Sequence, residues 1–463
     1  MATAPWFVIS PNSLLSLIGL LRGPDKTIPT PPEDWRAAVV DVVIPAYKEE
    51  DNIVYCLASI ARQTVKPRNI IIVDDGGKDA TVERARAFAA SAGIDIIVIE
   101  RAKSIGKTPT IKRQAREFDA DIQFILDGDT FLEDENYIAR CVEELYKGIG
   151  IASACGTILP MRLKDRAALA ETPEFQKYLG GAKYEDPFGN VTRPRLLWRW
   201  FTNLYRECLY IFLQRFVYNG QMVFFGGITN PVGCAVAYRR KYIEHLFDHY
   251  EPIFGDDLTN SEDIFIGFAL NNQGYRNIQL MDVIARSEEP EVQRLPRQIY
   301  MWSSSFLQSC YYFDQLLRSP FKAPQRGWRR FKAWYSGEAK RIQEMRKIKE
   351  QYRQPFGEKY TREWGRPIGW IVFMSAFEKV SFPAALIILI LLRMWEPLAV
   401  TFIAEALLSI GVMCVVSKGE RVKAFFKGLF VTPIRYGLLV MDTVTIARFA
   451  TDLWITGNRK WRK

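Results

Sequence analysis

Over residues 37–300 of this chain, short apolar runs alternate with stretches in which apolar residues recur every three or four positions, and beyond residue 368 the runs lengthen to about twenty. Short runs bounded by turn residues read as buried strands, and the 3.6-residue period reads as helix. The pattern predicts strands over 39–44, 69–74, 94–99, 122–127 and 151–159, separated by helices near 51–62, 79–92, 108–118 and 134–147. A strand–helix rhythm of this kind builds a parallel α/β sheet, whose ligands sit at the carboxyl ends of the strands.

The long runs have another meaning. Residues 368–392 and 397–417 are each long enough, as helices, to cross a hydrocarbon layer of about 30 Å. Glu378 and Lys379 interrupt the first, so that face should look into protein or a polar passage. Residues 428–454 contain Arg435, Asp442, Arg448 and Asp452, which leaves a third span, a hairpin or an interfacial helix open. The positive-inside rule wants both 418–427 and 459–463 in the cytoplasm, which a single crossing between them does not satisfy. Residues 1–22 have an apolar core at 14–21 but no basic leader and a break at Pro11, so they read as an interfacial or docked segment.

Two further regions, 196–225 and 299–313, interleave aromatic residues with charges. They read as amphipathic helices in the headgroup plane, with ordinary core packing as the alternative. The resulting division is an N-terminal interfacial segment and Pro-rich linker (1–36), a catalytic domain (37–290), interfacial helices and a basic segment (291–366), and a transmembrane region (367–463).

Composition narrows the setting. The 463 residues are 48% hydrophobic with a formal net charge of +10, and the cations concentrate at 318–366, 418–427 and 459–463, beside the apolar runs. That placement suits an anionic bilayer surface, and no nucleic-acid-binding motif is present. The 7 cysteines show no CxxC spacing, which argues against a disulfide framework or a zinc site and points to a reducing compartment. His245 and His249 stand four apart on an expected helix without a third ligand nearby, and read as structural.

The chemistry gathers at strand ends. Asp127 and Asp129 flank Gly128 after the fourth strand, where hard carboxylate oxygens suit Mg²⁺ or Mn²⁺ held against a diphosphate. Asp74-Asp75-Gly76-Gly77 ends the second strand, and Tyr47 and Glu49 follow the first, so three strand ends converge on one crevice sized for a nucleotide. Lys107, behind Gly106 at the start of a helix, suits phosphate charge. Farther on, Ser261-Glu262-Asp263 opens an amphipathic helix ending at Gly274-Tyr275, and Gly255-Asp256-Asp257 lies just before it; one of these acidic groups should supply a general base.

Taken together, VIPAYKEE at 43–50, VDDGGKD at 73–79, SIGK at 104–107, DGD at 127–129, the acidic triplet at 261–263 and a QxxxW element at 298–302 resemble the processive family 2 glycosyltransferases, the group of hyaluronan, cellulose and chitin synthases. The resemblance covers roughly residues 38–305 and implies a GT-A, Rossmann-like fold, a UDP-sugar donor, a divalent metal and inversion by single displacement. It implies that Tyr47, Glu49 and Asp75 contact the uridine, Lys107 the diphosphate, and Asp129 with Asp127 the metal. Asp263, eleven residues before Gly274, takes the place of the family's catalytic base, with Glu262 beside it and Asp257 as a decoy. Gly233 and Cys234, together with Gln298 and Trp302, would line the acceptor end. The family's arginine before that tryptophan is Met301 here, which shifts its task to Arg297 or Arg294 or displaces the register.

The expected protein is therefore an integral membrane hexosyltransferase with its catalytic domain in the cytoplasm at the plasma (inner) membrane. It would elongate and secrete a polysaccharide or, alternatively, glycosylate a lipid acceptor. Its partners would be the donor, the acceptor, the bilayer, and envelope or export proteins.

Overall fold

The computed structural model describes residues 10–22, 34–148, 150–188, 192–254, 261–338, 357–417 and 419–457. The Pro-rich link at 24–32, the acidic residues 255–257, most of the basic segment (339–356) and the tail at 459–463 lie outside the described residues.

Eight strands form one sheet: β1 Val40–Ala46, β2 Asn69–Asp74, β3 Ile97–Glu100, β4 Ile122–Leu126, β5 Thr130–Leu132, β6 Ile151–Pro160, β7 Ala235–Arg239 and β8 Arg276–Ser287, in the order β3-β2-β1-β4-β7-β6-β8-β5. The half β3-β2-β1-β4 is parallel, as the strand–helix rhythm predicts. The other half corrects the expectation of a wholly parallel sheet, because β7 runs antiparallel to both β4 and β6, and β5 antiparallel to β8. The reversal has a direct effect on the site. Pairing of Leu126 with Ala235 sets the beginning of β7 against the end of β4, so Gly233 and Cys234 arrive beside Asp127. The apolar runs of β1, β2 and β4 are buried on both faces, and this double burial is why they lack polar alternation.

The region 196–225 is one long helical excursion: an α-helix Arg193–Tyr210, a π-helical stretch Ile211–Tyr218 and a short helix Asn219–Phe225. Its inner face, with Tyr205, Leu209, Phe212 and Phe216, joins the main core. Core packing therefore prevails over the headgroup-plane reading here, although Leu197, Trp198 and Trp200 remain exposed. The Leu295–Tyr312 helix is likewise an internal element, with Ile299, Ser303, Phe306 and Cys310 buried against the Glu262–Gln273 helix and the third apolar helix. The Glu262–Gln273 helix is not amphipathic as expected, since every residue from Ile264 to Gln273 is buried. A helix apolar or buried all round belongs inside a domain.

Among the described residues, three helices are long and apolar enough to cross a membrane: Gly369–Leu391, Trp395–Val416 and Arg421–Trp454. The third is a single helix of 34 residues, which removes the hairpin alternative. Two of its charges, Arg435 and Asp442, point inward. Lys379 of the first helix donates to Asp442 of the third at 2.9 Å and to Ser303 Oγ at 3.0 Å, while Arg435 of the third reaches Glu405 of the second at 2.8 Å. Both pairs are buried, the side chains of Arg435 and Glu405 each being 1% exposed. Glu378 accepts hydrogen bonds from Asn12 on the N-terminal helix Pro11–Arg22, so its face looks into protein. That N-terminal helix is docked, crossing the Asn219–Phe225 helix so closely that a Cβ on Gly220 would lie 2.3 Å from Ser16 Cα.

Breaking a buried pair leaves an uncompensated charge, so Lys379→Met should lower the unfolding free energy by about 3–5 kcal/mol. Thermal unfolding in detergent would show this as a fall in Tm, and adding Asp442→Leu should recover much of it; equal stability of Lys379→Met and the unaltered protein would contradict the assignment.

Candidate functional site

The chain leaves β1 through Tyr47 and then Lys48, which sits in the left-handed region at φ 62°. The turn folds Glu49 back over Gly128, where a Cβ would lie 2.9 Å from Glu49 Cγ, so any larger residue at the centre of the DGD turn would have to displace the Glu49 side chain. Asp127 and Asp129 follow β4, and together with Tyr47, Glu49, Asp75 and Lys107 they line a cleft of about 190 Å³ at the carboxyl edge of the parallel half. All six expected donor-side residues therefore converge.

Lys107 opens the Lys107–Glu117 helix and crosses the cleft. Its ammonium lies 2.7 Å from Asp127 and 2.7 Å from Glu262, and donates to the carbonyl of Gly233 at 3.1 Å. It thus bridges carboxylates at the end of β4 and on the Glu262–Gln273 helix. Burial alone would lower its pKa, but Asp127 and Glu262 outweigh that and hold it well above the usual lysine range.

Acidic crowding shows in the carboxylates. Burial, then the charge of Asp129, pushes Glu49 up to about 8. Asp127 is pushed to about 6 by burial and by Asp129, against the pull of Lys107. Burial also raises Asp129 and Glu262. The electrostatic pressure that favours protons here also favours a cation. Among the described residues no three potential ligands gather at metal-binding spacing, so Asp127 and Asp129 could supply only part of a coordination shell, which Mg²⁺ and Mn²⁺ tolerate when substrate oxygens and water complete it.

Asp263 sits in the first turn of its helix, with its carboxylate accepting from Ser261 Oγ at 2.5 Å, from its neighbour's amide at 2.8 Å and from the Gly233 amide at 3.2 Å. A Cβ on Gly233 would lie 2.7 Å from that of Asp263, so the glycine permits the approach. Cys234 accepts the Asp127 amide at 2.9 Å through its carbonyl. Gly233 and Cys234 thus join the two acidic groups.

Asp75 is held by the loop after β3. It accepts from Ser104 Oγ at 2.6 Å, Gly106 N at 2.8 Å, Arg101 at 2.9 Å and Ile105 N at 3.0 Å. Burial would raise its pKa, yet these donors, led by Ser104 and the Ile105 amide, bring it below the usual carboxylate range. Gln298 and Trp302 lie on the Leu295–Tyr312 helix, engaged by one residue that sequence reading missed: Arg206 donates to Gln298, lies 4.4 Å over the Trp302 ring and pairs with Glu289 at 3.3 Å. A buried guanidinium from the Arg193–Tyr210 helix therefore occupies the neighbourhood where Met301 lacks one, while Arg294 and Arg297 are exposed.

Glu288 and Glu289 were also missed. Glu288 donates its amide to the Asp129 carbonyl at 3.0 Å and accepts from Asn52 at 2.6 Å, and Arg166 and Arg199 converge on its carboxylate. The signal was present, since the pair closes β8 as the other acidic groups close β2 and β4; the sequence reading placed no strand there. His249 lies 3.1 Å from Glu358, a surface pairing that fits its structural reading.

Asp75→Asn should loosen the 101–106 loop, because an amide side chain offers only one acceptor oxygen. Hydrogen exchange at Ile105 and Gly106 should speed up in the variant, and in the unaltered protein as pH falls through the lowered Asp75 value, the direction required of a carboxylate stabilised in its charged form. Unchanged exchange would remove Asp75 as the loop's anchor.

Residues 41–247 match the family model for "Glycosyl transferase family 2". Undecaprenyl-phosphate 4-deoxy-4-formamido-L-arabinose transferase of Serratia proteamaculans (strain 568) is 28% identical over 120 residues, 25% of this chain and 37% of that protein. Chondroitin synthase of Escherichia coli is 31% identical over 120 residues, 25% of this chain and 17% of that protein. The matches thus span well under two-thirds of those relatives' length. The mannosyltransferase PcManGT of Pyrobaculum calidifontis, solved with GDP-Man and Mn²⁺, superposes with a TM-score of 0.50 at 14% identity, covering 96% of this chain and 94% of that one, and shares the fold. The cleft is therefore built on a GT-A-like mixed sheet, and the stretch that matches the family 2 glycosyltransferase model, residues 41–247, is followed among the described residues by three helices long and apolar enough to enter a membrane.

Proposed function

We propose that this chain is a membrane-bound inverting glycosyltransferase that moves a hexose from a UDP-sugar onto an acceptor at the bilayer surface. One observation carries the reading: the antiparallel entry of β7 brings Gly233 between the acidic groups, its carbonyl accepting from Lys107, which lines the cleft with Asp127 and Asp129, and its amide donating to Asp263.

Tyr47, Glu49 and Asp75 would face the nucleoside. Asp127 and Asp129 would hold Mg²⁺ or Mn²⁺, which when bound supplies positive charge against the diphosphate. Lys107, whose ammonium already lies at the cleft beside Asp127, would bind the same phosphates. Asp263, fixed by Ser261 and Gly233, takes the proton from the acceptor hydroxyl as its oxygen bonds the anomeric carbon and the bond to UDP breaks. Glu262, paired to Lys107, keeps that ammonium in reach. Gln298 and Trp302, with Arg206 stacked on the ring, would border the acceptor.

The cytoplasmic side of a plasma membrane is the location we propose for the catalytic domain, because Arg421, Lys423 and Lys427 open the third apolar helix and Lys427 pairs with Glu207 of the domain at 2.8 Å. Elongation and export of a polysaccharide is one acceptor chemistry. The other, a lipid acceptor, is favoured by a large cavity that shares Glu288 with the neighbourhood of Asp129.

Supplying purified protein with a panel of UDP-sugars and Mn²⁺ or Mg²⁺ should give metal-dependent UDP release. Asp263→Asn should reduce it at least about a hundredfold. A labelled polymer would identify a synthase, and one or a few sugars on lipid the second reading. The proposal fails if no donor turns over, or if Asp263→Asn leaves the rate intact.

A further inference from the structure

The helix Ala323–Tyr335 buries none of its residues, yet four of them are large aromatics. Trp328, Phe331, Trp334 and Tyr335 are exposed by 66%, 52%, 69% and 81%. At about 3.6 residues per turn Trp328, Phe331 and Tyr335 share one side of the helix. Their rings pack on one another, with centroids 5.8 Å apart for Trp328 and Phe331 and 6.4 Å apart for Phe331 and Tyr335. The opposite side holds the helix to the protein: Arg326 and Ala333 are half-buried there, and the Arg329 guanidinium lies 4.5 Å over the Trp364 ring of the Gly357–Trp364 helix. The aromatic side therefore faces away from that contact. Ring packing within one helix leaves most of this apolar surface in water, and a surface of this kind marks a partner.

Charge selects the partner. The segment 323–335 contains four cations, Arg326, Arg329, Arg330 and Lys332, and no acidic residue. Among the described residues no carboxylate pairs with any of the four, and the neighbouring ion pair in sequence, Arg318 with Asp314 at 3.1 Å, lies outside the helix. Arg330 and Lys332 fall on the two flanks of the aromatic side, both exposed. Rings bordered by unpaired cations match the headgroup plane of an anionic leaflet, where aromatic side chains sit at the polar–apolar boundary and cations meet the surface charge. Position agrees with chemistry. Just before the helix, Phe321 is 70% exposed and meets Phe373 edge-on at 5.4 Å. Phe373 lies in the second turn of the first apolar helix, so the aromatic strip begins at the level where that helix enters.

We propose that the Ala323–Tyr335 helix lies on an anionic bilayer surface, its rings toward the acyl chains and Arg330 and Lys332 at lipid phosphates, as a membrane contact separate from the three apolar helices. The assignment rests on the membrane-bound reading above and deepens it by naming the charge of the leaflet. The contact also reaches the cleft. The Gly357–Trp364 helix on which it packs, with Arg366 just beyond, holds the carboxyl end of the helix that carries Asp263: Thr361 donates to the Asn272 carbonyl, and Arg366 to the Gln273 carbonyl at 3.3 Å. Direct contacts thus run from the lipid-facing rings to the helix of Asp263, and the docked helix sets how the cleft stands over the leaflet.

Hydrogen exchange of the full chain in lipid nanodiscs reads the contact directly, with discs of phosphatidylcholine alone compared with discs of phosphatidylcholine and phosphatidylglycerol in equal parts. Amides of 323–335 should exchange on the order of tenfold more slowly in the anionic discs. Arg330→Gln with Lys332→Gln should remove that difference, and so should strong salt acting on the unaltered chain. Trp328→Ser with Phe331→Ser, which leaves every cation in place, should abolish the protection as well; all four positions are exposed, so neither variant disturbs the core. Equal exchange in the two kinds of disc, or a charge variant protected like the unaltered chain, would overturn the assignment. So would protection that arises in detergent and rises with protein concentration, which would give the aromatic face to a second copy. Exchange over 369–391 is followed in the same samples: protection there in both discs upholds the membrane-bound reading whatever the basic helix does, and its absence would overturn that reading instead.

Discussion

The bridge made by Lys107 between Asp127 and Glu262 is the contact on which the site depends. Asp127 belongs to the end of β4 and Glu262 to a helix that follows β7 in sequence, so one ammonium ties the parallel half of the sheet to the helix that carries Asp263. It does so among carboxylates that burial and mutual repulsion push toward their neutral forms. Such a cluster is tolerable because a cation, the Lys107 ammonium, is already held between the carboxylates.

The same logic recurs in the membrane-facing part with the opposite outcome. Lys379 with Asp442 and Glu405 with Arg435 are closed pairs, the carboxylates accepting further from the hydroxyls of Ser303, Ser409 and Tyr436. They fix the third apolar helix against the other two and leave apolar side chains outward. Charges within a long apolar run therefore carry two meanings, passage or helix contact, and here the contacts decide for the second.

Much of this was legible in the chain. Strand ends announced themselves as apolar runs closed by Asp-Asp-Gly-Gly or Asp-Gly-Asp, and the donor-side residues gather where those ends predict. What sequence alone did not disclose depended on pairing across long separations. The antiparallel β7 is set by the return from the 193–225 excursion, and no local period encodes it. Burial of that excursion and of the Leu295–Tyr312 helix was hidden because aromatic residues mixed with charges suit a lipid interface and a crowded core equally. Arg206 beside Trp302 lies outside any motif, 95 residues from the position that lacks its arginine, and Glu288 was obscured by a strand too irregular, with bulges against β6, to be read as one.

The central claim is that the carboxylates at the end of β4 form a metal-assisted nucleotide site. Calorimetric titration of UDP into the purified protein, with and without Mn²⁺, tests it most directly. Binding should require Mn²⁺ in the unaltered protein and disappear in Asp129→Ala; UDP binding of equal strength without the metal, or undiminished in that variant, would contradict the account.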